Sequence, residues 1–83
     1  MTRKEVLEKV IEICKDVFDN DEVELTEETV QDEVEEWDSL THLMLMNELQ
    51  DCFHITFTTD DLMESKKIGG IVDMVMGRLQ DKK

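Results

Sequence analysis

The stretch Glu35-Glu36-Trp37-Asp38-Ser39-Leu40 divides the chain into two kinds of sequence. Residues 19 to 38, which run into it as far as Asp38, hold eleven acidic residues and no basic one. After it, Leu40, Leu43, Met44, Leu45, Met46, Leu49 and Phe53 recur at helical spacings. Ser39 stands at the junction, where a helix starts. Two readings apply to it: a helix cap, or the attachment point of a prosthetic group.

The helix that leaves this junction, residues 39 to 53, carries two apolar stripes. Leu45, Met46, Leu49 and Phe53 form one, which is expected to face a core. Leu40, Leu43, Met44 and Asn47 form another, on a different face. A helix that is apolar nearly all round is buried on several sides or carries a recognition surface. The plainer alternative is one wide core stripe.

On the N-terminal side, residues 3 to about 18 read as a first helix. Val6, Leu7, Val10, Ile11, Cys14, Val17 and Phe18 make its apolar stripe. Asp19-Asn20-Asp21 ends it, because short polar side chains compete for backbone hydrogen bonds. The acidic stretch that follows is too polar for a packed helix. Its spaced apolar residues Val23, Leu25, Val30, Val34 and Trp37 predict a long ordered loop pinned to the core. Thr26 and Thr29 are both suited to capping one short turn within it.

On the C-terminal side, His54-Ile55-Thr56-Phe57-Thr58 is β-prone but has no partner strand. An extended connector is expected, with Ile55 or Phe57 turned inward. Thr58 or Thr59 then caps a short helix through Asp60-Asp61-Leu62-Met63, which Ser65-Lys66-Lys67 closes with positive charge. Residues 67 to about 81 form the last helix, with Ile68, Ile71, Val72, Val75, Met76 and Leu79 inward. Gly69-Gly70 near its start allows close approach of another segment. Arg78, Lys82 and Lys83 suit its C-terminal end. The expected fold is all-α: three long helices and one short helix in a bundle, with a long loop between the first two long helices. It is a single domain over residues 1–83.

Composition narrows the function. A net charge of -13 on 83 residues repels a phosphate backbone or an anionic membrane surface and favours basic protein partners. No apolar run has the length of a membrane span. The sequence Met1 to Glu5 leads straight into an amphipathic pattern without the apolar region of a signal peptide. The expectation is a cytoplasmic monomer. Cys14 and Cys52 both fall on helical apolar patterns and are expected to be buried free thiols.

Three kinds of chemistry fail on their own requirements. A calcium-binding EF-hand starting at Asp19 needs an oxygen ligand, a glycine and a glutamate where Val23, Glu24 and Val30 stand. Cys52 and His54 lack two further ligands in any zinc spacing, so no metal site is expected. Ser39 and His42 lie three apart on one helix face, but no nucleophile elbow surrounds them. His42 is expected to be an ordinary, partly exposed histidine, and no catalytic residue is expected.

Asp38-Ser39-Leu40 opens an apolar helix, after an acidic loop, in a small acidic helical domain. In this combination the chain resembles the acyl carrier protein family. Leu45, Leu49, Phe53, Phe57 and Ile68 stand at that family's core spacings. The resemblance covers nearly the whole chain. It implies that Ser39 carries 4′-phosphopantetheine as a phosphodiester, added by a phosphopantetheinyl transferase. It also implies an arm that holds an acyl or aminoacyl group as a thioester for enzymes with basic docking surfaces. A phosphate at a helix N-terminus meets backbone N–H groups and the positive end of the helix dipole.

The chain also departs from the family's pattern. Glu36 and Trp37 stand where members often have glycine. The expected exposed side of the second helix shows His42, Met44, Asn47 and Gln50, with only Glu48 and Asp51 remaining as acids, where fatty-acid carriers are acidic. The resemblance therefore points to a specialised freestanding carrier, with Glu35, Glu36, Asp38, Leu40, Leu43, Met44 and Asn47 as its partner-binding face. An aminoacyl or peptidyl carrier, and an acidic interaction module without a prosthetic group, are the alternatives.

Overall fold

The computed structural model describes residues 2–64 and 66–81. Four α-helices follow one another: α1 (Arg3–Phe18), α2 (Ser39–Phe53), α3 (Thr59–Glu64) and α4 (Ile68–Asp81). This is the expected arrangement, and α1 packs against both α2 and α4.

Each of the first three helices starts where its sequence supplies a cap. Thr2 and Glu5 form a reciprocal capping box at α1. Asp38 and Thr41 do the same at α2, and Thr58 and Asp61 exchange side-chain-to-backbone bonds of 3.1 and 3.0 Å at α3. The end of α1 is Asp19 and the end of α2 is His54, both in the left-handed region at φ 53° and 55°. The next residue in each case bonds back five positions: Asn20 N–H to Lys15 O and Ile55 N–H to Gln50 O. This satisfies carbonyls that the helix end would otherwise leave open.

The core follows the stripes. Val6, Val10 and Cys14 of α1 have no exposure, nor do Leu45, Met46 and Leu49 of α2, nor Ile68, Ile71, Val72 and Val75 of α4. Phe18 and Phe53 close the ends of the core, and Ile55 and Phe57 of the connector are both buried. Leu7, Ile11, Val17, Met76 and Leu79 lie at its margin, partly buried. Cys14 is a buried free thiol, as expected, and desolvation raises its pKa to about 12. Cys52 is not buried. It is exposed on α2, because the inward face there is taken by Leu49 and Phe53.

The acidic loop is ordered by its apolar anchors and by α4. Leu25, Val34 and Trp37 are buried, while Val23 and Val30 are half-buried. Thr26 to Thr29 makes the expected turn. A single 3-10 turn follows at Gln31–Glu33. Three backbone bonds then lace the loop to the start of α4. Ile68 N–H reaches Thr29 O at 2.9 Å, Gly69 N–H reaches Glu27 O at 3.0 Å, and Gln31 N–H reaches Lys66 O at 2.8 Å. The first amides of α4 have no partners within the helix, so loop carbonyls serve as its cap. Gly69 is where this needs glycine: a Cβ there would lie 2.9 Å from Glu27 O. Arg3 bridges Glu27 and Asp73, tying α1, loop and α4 together at the surface. Arg78 does not serve the end of α4 alone; it pairs with Asp61 of α3. Ser65, Lys82 and Lys83, expected to act at helix ends, lie outside the described residues.

Candidate functional site

Ser39 is the first residue of α2, and it is exposed. It does not cap the helix. Asp38 does, its Oδ1 accepting from Thr41 N–H at 2.9 Å. That bond is the main cause holding the Asp38 carboxyl below its ordinary pKa. The two hydroxyls of this turn have different tasks. Thr41 Oγ1 accepts from Asp38 N–H and donates to Glu36 O, both at 2.8 Å, so it fixes the turn. Ser39 is left facing solvent.

Any anion joined to Ser39 would therefore share the first turn of α2 with a fixed carboxylate. The helix dipole attracts it and Asp38 opposes it. The acids before the turn differ from one another. Glu35 is exposed, whereas Glu36 is half-buried and accepts from Asn20 Nδ2 at 2.8 Å.

Beneath the turn lies a feature the sequence reading missed. His42 is buried, at 5% exposure, and is not the partly exposed histidine expected. Its Nδ1 accepts from Trp37 Nε1–H at 3.0 Å. Its Nε2 therefore carries the ring proton and donates to Leu62 O of α3 at 2.8 Å. Trp37, at 2% exposure, stacks on His42 and also packs against Phe18, with centroids 6.0 Å apart in each pair. Both ring nitrogens of His42 are thus engaged away from Ser39, and no nucleophile–base pair forms. Helical spacing alone signalled the inward turn: His42, Leu45, Met46 and Leu49 share one face of α2.

The second stripe of α2 is at the surface. Leu40, Leu43 and Met44 are 68%, 54% and 47% exposed, which decides against one wide core stripe. With Asn47, Gln50 and Leu62 they line an open groove of about 370 Å³ between α2 and α3. Gln50 is half-buried, its Oε1 accepting from Phe57 N–H at 2.8 Å. A second groove on the other flank of α2 is lined by Asp16, Val17, Met44, Asn47 and Glu48. The stripe is therefore flanked by acids on its α1 side and by uncharged residues on its α3 side.

Among the described residues, no group of three or more His, Cys, Asp or Glu side chains is placed to hold a metal ion. No described helix is long and apolar enough to cross a membrane.

This geometry can be set beside known proteins. Residues 8–75 match the family model described as "Phosphopantetheine attachment site". The solution NMR structure of a holo acyl carrier protein from Geobacter metallireducens is similar in fold, with a TM-score of 0.84 and 34% sequence identity. The match covers 93% of this chain and 88% of that one. No curated protein matches significantly. The chain belongs to the phosphopantetheine-attachment family. Within it, the protein is of the acyl carrier type: a carrier, not an enzyme.

Proposed function

We propose that Ser39 is the residue to which 4′-phosphopantetheine is joined, and that the chain tethers acyl or aminoacyl intermediates for the enzymes of a specialised pathway. The observation that carries this is the exposed Ser39 hydroxyl at the first position of α2, set beside a carboxylate cap and inside the span matched by the family. The residues present fit the group: the hydroxyl is accessible, and the first turn of α2 offers a phosphate the positive end of the dipole. When attached, the group supplies a terminal thiol that holds cargo as a thioester.

The chain's own residues then have simple tasks. Asp38 and Thr41 hold the turn that presents Ser39. Asp38 and Glu35 repel a phosphodiester, which favours an arm that stands away from the surface. Glu35, Glu36 and Asp38 attract basic partner surfaces, and Leu40, Leu43, Met44 and Asn47 provide their apolar contact. The partners include a phosphopantetheinyl transferase and the enzymes that load and process the cargo. Tethering gives those enzymes a high effective concentration of substrate without any catalytic residue on the carrier. The exposed apolar stripe favours a specialised pathway, since a purely electrostatic face would not need it. A cytoplasmic monomer is the setting that suits this role.

Incubation with coenzyme A and a promiscuous phosphopantetheinyl transferase tests the reading by intact mass. One arm-sized increment is expected on the native chain and none on Ser39→Ala. An increment that survives the substitution, or no increment on the native chain, overturns it.

A further inference from the structure

We propose that the seam between α2 and α3 is pinned shut, so that this carrier keeps its cargo outside the bundle and serves short or polar groups. The inference rests on the carrier reading above and narrows its substrate class.

A cargo tethered at Ser39 has two places to go, solvent or the bundle interior. The adjacent route inward is the seam beside the first turns of α2, where Leu40, Leu43 and Leu62 line the open groove. An interior that accepts long apolar chains gains with each methylene buried, and its entrance would be apolar and free to part. Here the groove is lined mainly by apolar residues, but a polar contact joins the two helices beside it. His42 donates from Nε2 to Leu62 O across the seam. Parting the helices breaks that bond, and a hydrocarbon chain offers the His42 N–H no acceptor in exchange.

Two further features hold the seam. The Trp37 ring stacks on His42 and packs against Phe18, so three buried rings occupy the interior behind that contact. On its other side α3 is held by Arg78 of α4, which pairs with Asp61. Asp61 is also half of the Thr58–Asp61 cap, which fixes its carboxylate on α3, so α3 cannot swing out without losing the Arg78 pair. Deeper in, Leu45, Met46 and Leu49 share one core cluster with Ile68, Ile71, Val72 and Val75, all without exposure.

The test loads the full chain enzymatically from acetyl-, butyryl-, octanoyl- and dodecanoyl-coenzyme A and verifies each product by mass. Melting temperature, Trp37 emission and the methyl NMR shifts of Leu45, Leu49 and Ile71 are then compared. Values that stay level from acetyl to dodecanoyl are expected. A melting temperature that climbs with chain length, together with shifted core methyls or Trp37 emission, overturns the inference while leaving the carrier reading intact. Failure of every donor to add mass overturns the carrier reading, and this inference falls with it.

Discussion

The indole of Trp37 and the imidazole of His42 fix each other's hydrogen-bonding state. Trp37 Nε1–H can only donate, so His42 Nδ1 must accept, and the ring is held as its neutral Nε2–H tautomer. Protonating Nδ1 would set two N–H groups against one another at 3.0 Å. One of these residues belongs to the acidic loop and the other to α2. The loop that leads to Ser39 is therefore coupled to the protonation state of a buried histidine.

Burial is the main cause that holds the His42 pKa below its ordinary 6.5. The Lys66 charge acts in the same direction, and the Leu62 carbonyl opposes it. A pKa lower in the folded than in the unfolded chain means that the unfolded chain binds more protons between the two values. The contribution to stability is complete above pH 6.5 and is lost as pH falls through the folded value. Urea unfolding from pH 8 to pH 5 should show this loss in the native chain. The slope should flatten in His42→Gln, which has no titrating ring. Relief of carboxylate repulsion at low pH acts on both proteins, so their difference isolates His42. Equal slopes would show that His42 is not the group responsible.

Two glycines of α4 should respond oppositely to alanine. At Gly69 the new methyl would meet Glu27 O at 2.9 Å, a backbone atom that also accepts the Gly69 N–H. Overpacking of this kind costs about 1–3 kcal/mol. Gly77 is exposed within the helix, with nothing near its missing Cβ, so Gly77→Ala should stabilise by about 0.5–1 kcal/mol. Thermal melts of the two variants check this. A Gly69→Ala protein as stable as the native chain would show that the loop does not cap α4 as described.

Charge gives a third expectation. A net charge of -13 is spread over 83 residues, and the four ion pairs seen among the described residues relieve only part of it. Self-repulsion weakens the compact state and is screened within about 10 Å at 0.1 M salt. The melting temperature should rise from low to moderate NaCl, and further with Mg²⁺. A level melting temperature across the series would mean that loop carboxylates are spaced widely enough not to repel.

The helices were legible in the sequence because each announces itself locally. The α2 stripe of Leu45, Met46, Leu49 and Phe53 is a repeat of 3.6 residues, and the Thr58 cap lies within three residues of its partner. The second stripe of α2 was visible as well, but spacing left one wide core stripe open and the exposures of Leu40, Leu43 and Met44 decided it. What could not be read depends on long-range contact. The pairing of Trp37 with His42 needs the loop to fold back, and Arg78 meets Asp61 across two helices. The expectation of a partly exposed His42 rests on rejecting a pair with Ser39, whereas its register with Leu45, Met46 and Leu49 places it on the inward face. Cys52 erred the other way: its neighbours are apolar, but its own angle on the helix points out. At the site, Ser39 was legible as a helix start. The capping role of Asp38 could have been seen as well, since Asp38-x-x-Thr41 has the spacing of a capping box.

The faces of α2 can be separated by experiment. Leu45 has no exposure, so Leu45→Ala should cost about 2–5 kcal/mol and lower the melting temperature steeply. Leu43 is 54% exposed, and Leu43→Gln should change stability by no more than about 0.5 kcal/mol. Its effect should appear in the partner reaction, because an apolar anchor on a docking face contributes more than 1 kcal/mol when it lies at the centre of the contact, about fivefold or more in kcat/KM. Glu35→Lys is the matching charge test. Glu35 is exposed, unlike Glu36, whose hydrogen bond to Asn20 would confound the result. Steering by charge predicts a lower kcat/KM for Glu35→Lys that becomes less marked as salt rises. Transferase kinetics on both variants, with melting temperatures beside them, provide the check. Unchanged kinetics for Leu43→Gln and Glu35→Lys in well-folded protein would remove the start of α2 from the docking face and leave Ser39 without the surroundings proposed for it.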